Sequence, residues 1–290
     1  MTGTPKTTTI TAGGLEFTAD VGGDPAGDLV LLLHGFPHSR HSWRAEVAAL
    51  AEQGYSVCAP DQRGYSPGAR PAGIESYRTD LLVGDALAIA DRLGAATFHV
   101  VGHDWGGQLA WYLAALHPQR IRSVAVISRP HPAAFVRAMT ADGAQANRSG
   151  HHRSFQRPEA TAEQLADDAA PLRRLLSSWD VPPADAEVYL DLLGTHAALD
   201  AAINWYRAVR LSEVLPADVP AVDVPTLYVW GNADATVGRE AAEATTDFVT
   251  GSYEFLEIDG AGHAVTDQRP GAFTAALSAH LTRAAASSPG

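Results

Sequence analysis

The sequence predicts an α/β protein whose parallel sheet is interrupted once by an all-helical insertion. Three observations carry this reading. From Leu29 to Ile127, continuous apolar runs alternate with helically spaced segments. Over residues 130–216 helical patterns and loops occur, but no convincing strand. The alternation then resumes at Thr226. Strand–helix alternation implies a parallel sheet, because the chain must cross back over the sheet before each new strand.

Taken in order, residues 7–11 and 15–21 read as a hairpin turning at Gly13 and Gly14. Leu29–Leu33 is an unbroken apolar run, the mark of a strand buried on both faces. Residues 42–53 carry Trp43, Val47 and Leu50 at helical spacing and stop at Gly54. Strands are expected at 55–59, 98–101 and Ile121–Ile127, with helices at 77–93 and 108–116. The stretch 131–158 is rich in His, Arg, Gly and Pro, whereas 163–179 (broken by Pro171) and 184–209 have helical spacing. Strands at 226–230 and Tyr253–Ile258, a helix around 240–248 and a last helix at 271–283 complete the chain, leaving 284–290 as a frayed tail. The expected organisation is a core of residues 1–129 and 217–290 with a helical cap at 130–216.

Composition narrows the function. The 290 residues are 46% hydrophobic and 19% charged, enough to bury a large core. With 21 basic and 33 acidic residues the net charge is -12, which repels phosphate backbones and anionic lipid, so neither nucleic acid nor membrane is an expected partner. Near the start, Leu29–Leu33 is far shorter than the roughly 20 apolar residues of a membrane helix, and residues 1–14 lack the apolar stretch of an export signal. Cys58, the single cysteine, excludes an internal disulfide or a thiolate zinc cluster. The 12 histidines show no convincing ligand spacing with carboxylates, so no metal is expected. The expectation is a soluble cytoplasmic protein acting on a small apolar or amphipathic molecule.

The chemistry is concentrated at Gly102-His103-Asp104-Trp105-Gly106-Gly107, between a strand and a helix. Glycines there permit a strained turn that exposes its central side chain. That side chain is a carboxylate. Attack by a carboxylate on an acyl carbon would give an anhydride no more stable than the substrate. Attack on a saturated carbon bearing a leaving group gives an alkyl ester that water can hydrolyse. Asp104 therefore points to epoxides or alkyl halides rather than esters or amides.

Hydrolysing the ester needs a base and a group to hold it. His263, in Gly260-Ala261-Gly262-His263, follows the last strand and can swing over the turn. Asp234, in Gly231-Asn232-Ala233-Asp234, follows the preceding strand and is preferred as the orienting acid over Asp259, which is only four residues before His263. The order nucleophile, acid, base completes a triad. In His34-Gly35-Phe36-Pro37 the Phe36 N–H, with that of Trp105, is placed to stabilise an oxyanion, and Phe36–Pro37 is a candidate cis bond. Asp61 and Arg63 are read as a pair bracing their loop.

His34-Gly35-Phe36-Pro37, Asp61-Gln62-Arg63-Gly64-Tyr65-Ser66, the Asp104 turn and Asn204-Trp205-Tyr206-Arg207 occur in one order, and in this the chain resembles the epoxide hydrolase branch of the α/β-hydrolase superfamily. The resemblance runs from Leu15 to the last helix. It implies an α/β-hydrolase fold: an eight-stranded, mostly parallel sheet with a helical cap between strands six and seven. It also implies cofactor-free opening of an epoxide to a vicinal diol. Such enzymes place two cap tyrosines over the nucleophile. Tyr206 matches one; at the place of the other, four residues before Phe155-Gln156, stands His151, followed by His152. Contacts with substrate are expected from His34, Pro37, His103, Trp105, His152 and Trp205. A histidine beside a tyrosine also resembles the halide cradle of fluoroacetate dehalogenases, although Trp105 and Gln108 stand where those enzymes carry arginines. Dehalogenation, recruitment to one biosynthetic step, and a non-catalytic binding role remain alternatives. The superfamily commonly forms dimers, so a homodimer is compatible with the resemblance.

Overall fold

The computed structural model describes residues 3–141 and 143–287. Its sheet has eight strands: β1 (Gly3–Ala12), β2 (Leu15–Gly23), β3 (Leu29–Leu33), β4 (Ser56–Pro60), β5 (Phe98–His103), β6 (Ile121–Ile127), β7 (Thr226–Gly231) and β8 (Tyr253–Ile258). Their order is β1-β2-β4-β3-β5-β6-β7-β8. β2 runs antiparallel to β1 and β4, and every later pairing is parallel.

Helices cover both faces. α1 (Arg44–Glu52) precedes β4, α2 (Thr79–Arg92) precedes β5, and α3 (Trp105–Leu116) follows it. Alternation along β3 divides its side chains between two cores. Leu29, Leu31 and Leu33 belong to one with Leu109 and Trp111 of α3. Val30 and Leu32 belong to the other with Val47 and Leu50 of α1 and Phe273, Leu277 and Leu281 near the C-terminus.

Between β6 and β7 the chain forms α4 (Pro132–Thr140), α5 (Ala144–Arg148), α6 (Gly150–Phe155), α7 (Ala160–Ser178), α8 (Pro183–Leu193) and α9 (His196–Ala208). The stretch 131–158, rich in His, Arg, Gly and Pro, folds as three of these helices; Ala138 and Phe155 are buried in the main core, Phe135 is buried as well, and this burial rewards helix formation. α7 kinks at residues 166–169, where Asp167, Asp168 and Ala169 adopt positive φ just before Pro171. Proline clashes with the preceding turn and has no N–H to give it. The single helix expected over 184–209 is broken at Gly194, and the Thr195 hydroxyl accepts from Ala198 N (3.3 Å) to cap α9.

After β7 come α10 (Arg239–Glu243), α11 (Val265–Gln268) and α12 (Pro270–Ser287). α12 continues through Ser287, so the first part of the expected tail is helical; residues 288–290 lie outside the described residues. Among the described residues no helix is long and apolar enough to cross a membrane. β3 lies between β4 and β5, the point at which successive connections diverge and open a crevice at the carboxyl edge of a parallel sheet. The loops after β3, β5, β6, β7 and β8 all reach that edge.

Candidate active site

Asp104 sits at the turn from β5 to α3 with φ 52° and ψ -116°. That backbone is strained for a side-chain-bearing residue, and its neighbours hold it. A Cβ on Gly102 would lie 2.2 Å from Gly106 O, and one on Gly106 would lie 2.0 Å from Leu33 O. A Cβ on Gly35 would come within 2.4 Å of the Asp104 Cβ, so the loop after β3 also needs glycine. This close approach lets Phe36 N donate to Asp104 Oδ1 (3.1 Å), while Trp105 N–H also bonds the carboxylate. Burial pushes the Asp104 pKa up, but the charges of His263 and Arg129 and the Trp105 N–H outweigh it, leaving it below the usual carboxylate range.

His263 Nε2 is 3.8 Å from Asp104 Oδ2, and its Nδ1 is 3.1 Å from Asp234 Oδ2. Asp234 accepts further bonds from Ser128 Oγ (2.6 Å), Thr236 N (2.7 Å), Thr236 Oγ1 (2.6 Å) and Val237 N (3.1 Å). Despite burial, the imidazole of His263 and these donors hold the Asp234 carboxyl far below its ordinary value. Burial likewise disfavours a charged His263, yet the Asp234 charge and hydrogen bond, with the Asp104 charge, raise its pKa above 6.5. Asp259 is exposed and accepts from Asn232 Nδ2 (2.9 Å) instead.

A cavity of about 80 Å³ opens over Asp104, walled by Phe36, His151, Phe155, Trp179, Tyr206 and His263 among others. Tyr206 packs at 4.9 Å from both the Trp105 and Phe155 rings. Burial, then the Asp104 charge, push its hydroxyl pKa well above 10, so it keeps its proton. His151 lies 6.1 Å, ring to ring, from Tyr206, and burial lowers its pKa below 6.5 despite Asp104. The arrangement offers a carboxylate nucleophile, a base held by an acid, two convergent N–H donors, and a phenol and a neutral imidazole facing the same space.

Other residues expected to contact substrate are placed elsewhere. His34 is buried, its Nδ1 on Gly35 O (3.0 Å) and its Nε2 accepting from Gln62 N (3.2 Å), with its pKa driven to about 3 by burial. His103 lies behind the turn, its Nε2 on His263 O (2.9 Å), where it anchors the histidine loop. Trp205 donates from Nε1 to Arg63 O (2.8 Å), fastening α9 to the core. Pro37 follows a cis bond, as its sequence suggests, and is buried outside the cavity wall. Trp105 and His152 face a second cleft. Asp61 and Arg63 do not pair with each other. Asp61 binds Arg40, and Arg63 binds Asp85 (2.6 and 2.7 Å), because the loop turns them to opposite sides.

Three site residues escape sequence reasoning. Ser128 Oγ reaches both Asp234 and His263 Nδ1 (2.9 Å), and Thr236 Oγ1 is 2.7 Å from the same nitrogen. Arg129 is buried beside α3 and acts on the Asp104 charge. Ser128 and Arg129 directly follow β6, which ends at the same sheet edge as the nucleophile; that position is the signal that could have found them.

Residues 28–270 match the family model of the α/β-hydrolase fold. Epoxide hydrolase A of Mycobacterium tuberculosis is 33% identical, over 97% of this chain and 98% of that protein. The AB hydrolase superfamily protein YfhM of Bacillus subtilis is 31% identical, over 90% of this chain and 92% of that protein. The crystal structure of Epoxide Hydrolase A from Mycobacterium thermoresistibile superposes with a TM-score of 0.83 at 29% identity, over 96% of this chain and 98% of that one. On its sheet, its nucleophile turn and these relatives, the chain belongs to the α/β-hydrolase fold family, in its epoxide hydrolase branch.

Proposed function

We propose that the protein opens an epoxide to a vicinal diol through an alkyl ester on Asp104. The observation that carries this reading is a carboxylate at the strained turn, 3.8 Å from an acid-held histidine and beneath Tyr206 and His151. The epoxide hydrolases among its relatives support the same substrate class.

In the first step an Asp104 oxygen attacks an epoxide carbon, the C–O bond breaks, and Tyr206 gives its proton to the leaving oxygen. Neutral His151 donates a second hydrogen bond to that oxygen. In the second step His263 Nε2 takes a proton from water, and the resulting hydroxide adds to Cγ of the ester. The N–H groups of Phe36 and Trp105, which bind the resting carboxylate, then bind the oxyanion. Asp234 stabilises the imidazolium, with Ser128 and Thr236 fixing the carboxylate. Collapse breaks the acyl–oxygen bond, the imidazolium proton neutralises the departing diol alkoxide, and the water oxygen stays on Asp104, whose remaining carboxyl proton returns to the Tyr206 phenolate and restores both groups.

Intact mass of a His263→Gln variant after incubation with epoxides and haloalkanes tests this. The ester should accumulate with a gain equal to the whole epoxide. A gain equal to a haloalkane minus hydrogen halide, with none from epoxides, would make His151 and Tyr206 a halide cradle and the protein a dehalogenase. In a single turnover in 18O-water the label should enter Asp104 and not the diol.

A further inference from the structure

The cavity over Asp104 is small. An apolar cavity of about 150 Å³ takes a benzene molecule, so by the same measure this one, of about 80 Å³, holds roughly three to four non-hydrogen atoms. Rings close it on one side. Phe36, Phe155 and Tyr206 pack edge to face at 4.9 to 5.5 Å. Tyr206 meets Trp105 at 4.9 Å and His151 meets His152 at 4.6 Å, which seals the cavity from the second cleft behind them. Phe36 and Tyr206 serve the reaction itself, so their places are set by chemistry rather than by substrate size.

The opposite wall belongs to α7. Leu175 and Trp179 stand one turn apart on the same face, and both reach the cavity. Trp179 is fixed from three directions. The chain closes around it: Asp180 N donates to Ser177 O (3.0 Å) and Val181 N to Leu176 O (3.1 Å), with Asp180 at φ 52°, the pattern that ends a helix on a left-handed residue. Its carbonyl accepts from Gln268 Nε2, while Gln268 Oε1 accepts from Gly262 N (2.6 Å), next to His263. Its ring stacks on buried His38 at 5.9 Å and meets His263 at 4.5 Å. A wall held by backbone and ring together resists a larger guest, because packed interiors transmit strain rather than yield. Neither reaction step uses Trp179 or Gln268.

Resting on the epoxide reading, we infer that the substrate is a short aliphatic epoxide of about three or four carbons, and that Trp179, clamped by Gln268, is the residue that sets this limit. A phenyl ring or a long chain on the epoxide needs the space that the indole fills. Gln268 acts through Trp179 and is a positioning residue: one amide ties the wall to the loop of the catalytic base and keeps their spacing.

The test is the course of kcat/KM along the terminal epoxides propylene oxide, butylene oxide, hexylene oxide and styrene oxide. In the wild-type protein it should peak at the first two and fall about ten- to a hundredfold by styrene oxide, the range that a misfit in an apolar pocket produces. Trp179→Ala should move the peak to styrene oxide. Leu175→Ala, a milder change at a half-buried position, should shift the same ratio in the same direction by less. Gln268→Glu keeps the acceptor for Gly262 N and loses the donor to Trp179 O, so it should raise styrene oxide relative to propylene oxide several-fold. The ratio is the readout because both substrates use the same His263, and a merely structural loss lowers both alike. Equal rates along the wild-type series, a peak at hexylene or styrene oxide, or a ratio that neither Trp179→Ala nor Leu175→Ala moves would overturn the inference. A ratio unmoved by Gln268→Glu alone would overturn its part as the clamp. If no epoxide is turned over, the epoxide reading fails, and haloalkanes of the same sizes decide the wall through the ester on His263→Gln, read by intact mass. Alkylation by bromopropane but not by phenylethyl bromide would keep Trp179 as the size limit for a halide; alkylation by both or by neither would remove it.

Discussion

The two histidines that face Asp104 are driven in opposite directions, and this separates the half-reactions by pH. His263 has its pKa raised by Asp234 and must be neutral to act as base. Ester hydrolysis, followed by single-turnover kinetics, should therefore rise with pH through a value above 6.5. His151 has its pKa lowered by burial and is uncharged at neutral pH. Alkylation should then stay flat from about pH 7 to 9, carried by the Tyr206 proton; a fall with pH in that range would require a histidinium donor instead. Asp104→Ala should abolish diol formation, and residual turnover would exclude the ester mechanism. Ser128→Ala removes one donor from Asp234 and one contact from His263, and should slow hydrolysis of the ester about tenfold while leaving its formation intact.

At the level of elements, the nucleophile depends on how closely two adjacent parallel strands bring their loops. β3 and β5 are in register with Leu33 opposite Gly102, so the loop after β3 lies against the turn after β5. Gly35→Ala would put a Cβ 2.4 Å from that of Asp104. The loop must retreat, taking Phe36 N away from the carboxylate. A displacement of about 1 Å at reacting groups can cost about a hundredfold in kcat. Urea denaturation should show a smaller loss, about 1–3 kcal/mol, the usual cost of overpacking. Stability lost without activity would show that the Phe36 N–H does not take part.

Across the whole molecule, the helices between β6 and β7 are tied to the sheet by a charged network centred on buried Asp267. Asp267 accepts from Arg44 (2.9 Å) and Tyr189 (3.0 Å) and lies 3.4 Å from His38, and Arg44 also binds Asp185 of α8 (2.7 Å). Asp267→Ala leaves His38 and Tyr189 buried without their anion, while the partly exposed Arg44 keeps Asp185, and should cost about 3 kcal/mol in chemical denaturation. A second global property is acid sensitivity. Burial lowers His34 and His103 to about 3 and His99, His131 and His280 to about 4. Below about pH 6.5 the unfolded chain binds protons that the folded chain refuses, so stability falls with each step of acidification toward the folded values. Glu46, raised to about 7 by burial, works the other way and weakens the fold as pH rises through about 4.5 to 7. The histidines outnumber it, so denaturation midpoints should decline from about pH 6.5 to 5; a midpoint that rises over this range would contradict the burial of these histidines.

The order of elements and the reactive chemistry are legible along the linear chain. β3, β6 and β8 appear with their observed bounds, and β3 most plainly, because a strand buried on both faces of a parallel sheet is a continuous apolar run that needs no partner to be recognised. Asp104, its glycines, and the acid and base after β7 and β8 were legible for a related reason: a strained turn and a loop anchor impose residue types locally. Tertiary structure decided everything that depends on which side chains meet. It turned a segment rich in His, Arg, Gly and Pro into helices by burying Phe135 and Phe155, and it took His34, His103 and Trp205 from the substrate to backbone partners. It also brought Ser128 and Thr236 to the triad and buried Arg129 where its charge acts on Asp104, since burial and pairing arise between residues far apart in the chain and leave no mark on local spacing.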